Sequence, residues 1–157
     1  MLIYCYEPLG LPFDAALPAF LRAVDDEQVH RTLFRGEPDR PAILPGEIGG
    51  HLNLGELNLG PPTEEDGRVA VPIQCSTEDP SLIAMVGEIT LSRLGPALCH
   101  LSLNSSITGR LAAGFMYNRN FQMAAELAVA EFLGKLARAV EVLAPSGHGR
   151  GPGSCSA

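Results

Sequence analysis

The 157-residue sequence contains no tryptophan and only 11 lysines and arginines, against 18 aspartates and glutamates, for a formal charge of −7 and a pI near 5.0. That shortage of basic residues argues against a nucleic-acid or anionic-membrane surface, because both need clustered cations to displace phosphate counterions or meet lipid head groups. The acidic residues gather in Asp25-Asp26-Glu27, Glu64-Glu65-Asp66 and Glu78-Asp79. None of these runs has the alternating oxygen ligands and central glycine of a calcium loop, so they read as solvated loop charge and no metal is expected. The four cysteines, Cys5, Cys75, Cys99 and Cys155, form no C-x-x-C pair, and no histidine stands at zinc-finger spacing. MLIYCYEPLG lacks the basic start and apolar core of a signal peptide. Free thiols in a reducing cytoplasm are therefore the expectation. No apolar run approaches the roughly 18 residues of a membrane span. There is no internal repeat and no G-x-S-x-G elbow to present a nucleophilic serine. The glycines from Gly147 to Gly153 follow a helical pattern rather than a strand, so they make no dinucleotide fingerprint and no cofactor is implied.

What the chain does have is apolar patterning. With 46% hydrophobic residues it can build one sizeable core, expected over residues 1–144 as a single domain. The Gly-, Pro- and Ser-rich stretch 145–157 has no apolar periodicity and is expected to be a disordered tail. Leu2-Ile3-Tyr4-Cys5-Tyr6 suits a first strand. In PFDAALPAFLRAVDD, Phe13, Ala16, Leu17, Phe20, Leu21 and Val24 form a helical stripe, which Pro18 is expected to kink or split. From Asp25 to Gly50, repeated proline and glycine predict a long irregular segment, either a lid or an excursion.

His51 to Leu59 alternates as a strand with a bulge at Gly55-Glu56, and PPTEEDG then turns into RVAVPIQCS. There Val69, Val71, Ile73 and Cys75 share one face, and Pro72 predicts an edge or a local irregularity. AMVGEITLSRL (84–94) puts Ile89 and Leu91 on one face, and ALCHLSLNSSI (97–107) does the same with Cys99, Leu101 and Leu103. His100, Ser102, Asn104 and Ser106 lie opposite. Three successive strands are thus apolar on one side only, as in an antiparallel meander covered on one face. The covering element is a helix over residues 118–144. Phe121, Ala124, Ala125, Ala128, Phe132, Leu136, Val140 and Leu143 recur at helical spacing, and Met123, Leu127, Val129 and Leu133 widen the stripe.

GEITLSRLGPALCHLSL followed by AELAVAEFLGKLARAV resembles the G-x-L-x-L…T-x-L-x-L strand pair and A-E-x-x-V-x-x-F-L-x-x-L-A helix of bacterial members of the SRPBCC superfamily. That superfamily includes START-like lipid-transfer domains and polyketide cyclases. The likeness covers about residues 50–144, and SSITGRLAAG stands where relatives tend to have Tyr-x-Pro-Pro-Leu-Gly. It implies an α+β helix-grip fold, a curved antiparallel sheet wrapped around a long C-terminal α-helix. It also implies a cavity between the two for an acyl chain, sterol or polyketide-like molecule.

The residues placed to line such a space are Leu54, Val71, Ile73, Ile89, Leu91, Leu101 and Leu103 from strands, with Phe121, Leu127 and Phe132 from the helix. The same residues would equally make an ordinary packed core. Arg110 and Tyr117, near the start of the long helix, could reach a ligand oxygen at the cavity mouth in a cyclase-like enzyme, or simply cap and anchor that helix. His100 falls on the polar face and is expected to face solvent. A third reading makes the Ser/Thr/Asn face, or an edge strand, a dimerisation or partner surface. The partner expected first is a lipophilic small molecule, with a homodimer as a possibility.

Overall fold

The computed structural model describes residues 1–25, 58–76, 84–110 and 119–144. Within them the order is β1 (Leu2–Leu9), α1 (Phe13–Asp25), β2 (Asn58–Leu59), β3 (Thr63–Glu65), β4 (Arg68–Ser76), β5 (Ala84–Arg93), β6 (Cys99–Thr108) and α2 (Arg119–Leu143). The strands form one antiparallel sheet, ordered β1-β6-β5-β4-β2, with β3 also paired to β4. With α1 and α2 packed on it, this is the α+β helix-grip architecture. The segment between Asp25 and Gly50 and the tail after Ala144 lie outside the described residues, as does most of the strand expected from His51.

The meander follows the alternation. Val69 pairs with Leu91 and Val71 with Ile89, and these pair in turn with Leu101 and Leu103 on β6. All six are at most 1% exposed. Because side chains alternate across a strand, that register gathers them on one face. β1 does not extend the meander at the β4 side. It crosses to the far edge and pairs along its whole length with β6, from Leu2 opposite Ser106 to Leu9 opposite Cys99.

Pro72 behaves as its chemistry requires. On one side β4 pairs continuously with β5, but on the other its partner changes from β3, ending at the Thr63–Ala70 pair, to β2, beginning at Leu59–Ile73. Pro72 stands at that change. It has no N–H to give to the ladder, and its carbonyl accepts from Gly60 N–H at 2.8 Å. The hairpin between β3 and β4 turns through Asp66-Gly67, with Gly67 at φ 71°, a conformation glycine adopts without steric cost.

Pro18 does not split the first helix: α1 runs unbroken from Phe13 to Asp25. One backbone bond is lost, while Phe13, Ala16, Ala19, Phe20, Ala23 and Val24 are all buried along one stripe, and that burial outweighs the missing donor. The seam of α2 is rotated from the one periodicity alone suggests. Ala125, Val129, Leu133, Leu136, Ala137 and Val140 are buried, Phe132 and Leu143 are partly buried against the core, and Met123 and Leu127 are 57% and 54% exposed. α2 packs chiefly on β1 and α1, with a smaller contact on β6, and α1 also touches β5.

Candidate functional site

The inner face of the sheet is built from alternate residues of four strands. β4 supplies Val69, Val71, Ile73 and Cys75, β5 supplies Met85, Ile89 and Leu91, and β6 supplies Cys99, Leu101, Leu103 and Ile107; all are buried. Ile3 and Leu9 of β1 complete it beneath α2. Val71, Ile73, Ile89, Leu91, Leu101 and Leu103, six of the sequence-derived lining candidates, thus share one surface. Phe132 approaches from α2 at the margin of the core.

The other candidates fall elsewhere. Leu127 does not join the inner face: its exposure places it on the outer side of α2, because the helix seats Ala125 and Val129 instead. Arg110 lies just beyond β6, after Gly109 at φ 118°, and its side chain is exposed. Leu54 and Tyr117 lie outside the described residues, and Phe121 belongs to α2 with its side chain outside them.

One polar group sits on this apolar surface. Ser105 follows Leu101 and Leu103 in the odd-numbered phase of β6; it is 2% exposed and its Oγ has no hydrogen-bond partner. Across the sheet it stands between Ile3 of β1 and Gly87 of β5. There the two backbones approach so closely that a β-carbon on Gly87 would lie 2.2 Å from the carbonyl oxygen of Asn104 and 2.7 Å from the Cα of Ser105. Ser105 was not among the sequence-derived candidates. The signal for it was available, because strict alternation carries a serine in that phase onto the Leu101–Leu103 face.

The thiols on this face are inert. Burial pushes both Cys75 and Cys99 from 9.0 up to about 11, so neither carries a thiolate near neutral pH. Cys5, half-buried on β1, is also raised, first by burial and then by the negative charge of Glu126. Where α1 meets β5, Arg93 bonds Asp14 at 2.9 Å and lies over the Phe13 ring at 5.1 Å from its centroid. Among the described residues no group of three His, Cys, Asp or Glu side chains stands together as a metal site.

On the outer face Asn104 pairs with Glu88 and Ser102 with Thr90, while Ser106 stands opposite the exposed Val86. Arg68 bonds Glu88 there at 2.8 Å. His100 belongs to this face, between Pro8 and Ser92, but it is half-buried rather than open to solvent, and its Nδ1 is enclosed without a partner. At the edge, Leu2, Tyr4 and Tyr6 project outward from β1 and are exposed, the two tyrosine rings 6.5 Å apart.

No protein-family model matches the chain, and no curated protein matches it in sequence. Solved structures do match in fold. A hypothetical protein of Helicobacter pylori superposes with a TM-score of 0.58 at 12% identity, over 88% of this chain and 86% of that one. A conserved protein of Geobacillus kaustophilus gives 0.57 at 12% identity, over 92% and 98%. A looser likeness, 0.48 at 13% identity over 90% and 93%, is to an aromatase/cyclase of a Streptomyces species. At such identities the likeness is one of fold alone, the α+β arrangement of an antiparallel sheet packed against a long C-terminal helix. No described helix is long and apolar enough to cross a membrane.

Proposed function

We propose that this helix-grip chain binds a small lipophilic molecule, an acyl chain, sterol or polyketide-like compound, in a cavity between the inner sheet face and α2. The observation that carries the reading is a mismatch of extents. The inner face runs across β4, β5 and β6, whereas α2 packs chiefly on β1 and α1 and more lightly on β6. Val71, Ile73 and Ile89 lie beyond the principal footprint of the helix yet are at most 2% exposed, so an apolar guest seated against them would itself be held out of water and would gain about 25 cal/mol for each Å² of its surface buried. A charged metabolite would lose its hydration without a buried counter-ion among the described residues to replace it.

Binding rather than catalysis is the reading. The described inner face offers no nucleophile with a base beside it, its thiols are held protonated, and Arg110 is exposed. Native mass spectrometry of protein purified from its own host, with titration of the neutral dye Nile red, tests this. A retained small-molecule mass, or saturable dye fluorescence that an unlabelled sterol or acyl compound displaces, is expected. Neither a retained mass nor saturable uptake would end the proposal.

A second reading rests on β1. It pairs only with β6 among the described strands, and it exposes Leu2, Tyr4 and Tyr6 beside that open edge, which favours self-association through it. Light scattering across a concentration series distinguishes a dimer that dissociates on dilution from a monomer throughout.

A further inference from the structure

We infer that Ser105 is the polar anchor of the bound molecule, and that the ligand is a neutral amphiphile presenting one carbonyl or hydroxyl oxygen to the Ser105 hydroxyl. The inference rests on the binding reading above and narrows the chemistry of its ligand. Ser105 is 2% exposed, and its Oγ lacks a hydrogen-bond partner. Buried side-chain oxygens are nearly always paired, so one left unpaired within the protein is open to a partner from outside it.

The surroundings leave the partner to come from outside. Along β6 the same-face neighbours are Leu103 and Ile107, and across the sheet they are Gly87 and Ile3; none offers a hydrogen-bonding side chain. Of the diagonal positions, Met85 and Ile89 on β5 are equally apolar, and on β1 Cys5 has only a weakly bonding thiol, which is directed at the Glu126 carbonyl oxygen at 4.0 Å. Alanine would fill the position without stranding a donor. Gly87 adds a geometric element: with β5 and β6 pressed together there, the position directly across on β5 admits no side chain beside the hydroxyl.

The ligand's charge follows from the same face. No charged side chain is buried among the described residues, so a carboxylate or ammonium seated at Ser105 would be desolvated beside a single neutral hydroxyl. A ketone, aldehyde, ester or alcohol oxygen needs only one hydrogen bond, and a serine hydroxyl can donate to a carbonyl or exchange donor and acceptor roles with an alcohol.

The test compares two probes of one shape, 2-acetylnaphthalene with its ketone and 2-ethylnaphthalene without it, by displacement of Nile red from the wild type, Ser105→Ala and Ser105→Cys. The wild type is expected to prefer the ketone by roughly three- to tenfold, the worth of one neutral hydrogen bond. Ser105→Ala should abolish that preference while binding the hydrocarbon as before, and Ser105→Cys, a weaker donor, should retain part of it. Thermal unfolding without ligand gives an independent readout: Ser105→Ala should match or exceed the wild-type Tm, since it deletes an unpaired hydroxyl. Equal affinities for both probes, or a ketone preference that survives Ser105→Ala, would overturn the anchor and leave the binding reading intact. A Tm several degrees lower in Ser105→Ala would also overturn it, by showing that the hydroxyl is already satisfied within the protein. If neither Nile red nor either naphthalene binds the wild type, the binding reading and the anchor fall together.

Discussion

Arg22, in the last turn of α1, donates a 2.5 Å hydrogen bond from Nη2 to the carbonyl oxygen of Leu143, the final residue of α2. The last carbonyls of a helix have no partner within it and carry the negative end of its dipole, so a guanidinium there both bonds and neutralises. No basic residue of α2 itself lies in its last turn. Arg22→Ala is therefore expected to lower stability by about 0.5–1 kcal/mol, below the usual range for a charge-assisted bond because the contact is exposed. Urea unfolding measures the loss, and amide exchange should quicken over residues 140–143 before it does elsewhere in α2.

Gly87 and Gly60 make a graded pair. A β-carbon on Gly87 would meet backbone, at 2.2 Å from the Asn104 oxygen, so one of two strands in the middle of the sheet must shift. A β-carbon on Gly60 would meet the Pro72 ring at 3.1 Å and 3.2 Å, a contact that a few tenths of an ångström relieve. Gly87→Ala should cost about 2 kcal/mol or more, and Gly60→Ala about 1 kcal/mol or less. Equal midpoints in urea for the two variants would contradict the close approach of β5 to β6.

These two glycines also show where reading the sequence reaches its limit. The β4–β5–β6 meander was legible because one face of each strand is apolar and a one-residue slip would expose it. The closeness of Gly87 to Ser105 was not, since it depends on how near two strands lie to each other at one pair, and alternation carries no such information. The placement of β1 beside β6 was similarly hidden, because a short apolar strand fits either edge. In α2, apolar residues cover more than half the circumference, so periodicity could not choose between a seam through Leu127 and one through Val129. Contact with α1 and β1 makes that choice. The inner-face candidates from Val71 to Leu103 needed only alternation, whereas Ser105 needed the phase to be followed through a polar residue.

Cys75 and Cys99 should confer a pH dependence of defined sign. Each titrates at about 11 in the folded state against 9.0 without burial, so the unfolded chain loses these protons first as pH rises. The stability each contributes is whole below pH 9.0 and is lost as the pH climbs to about 11, by on the order of 2 kcal/mol per thiol. Since tyrosine and lysine titrate in the same window, the measurement is the difference between the wild type and Cys75→Ala: the variant starts less stable at pH 8 and loses less between pH 9 and 11. In the folded protein at pH 8, Ellman's reagent should leave both thiols unmodified until denaturant is added.

The seating of α2 is tested by two leucines nine residues apart. Leu136 is fully buried in the seam, whereas Leu127 is 54% exposed. Truncating Leu136 to alanine removes buried methyl groups and leaves a cavity in the core, at a cost of about 2–5 kcal/mol. The same truncation at Leu127 deletes surface that water already reaches, and alanine's higher helix propensity offsets part of the loss, so the expected change is within about 0.5 kcal/mol. Because both sites lie on one helix and carry one substitution, helix propensity cancels in the comparison and burial alone is left. If Leu127→Ala proved the more costly, the helix would be turned on its axis, and Leu127 rather than Phe132 would be the side chain facing any molecule held against Ile89 and Leu103.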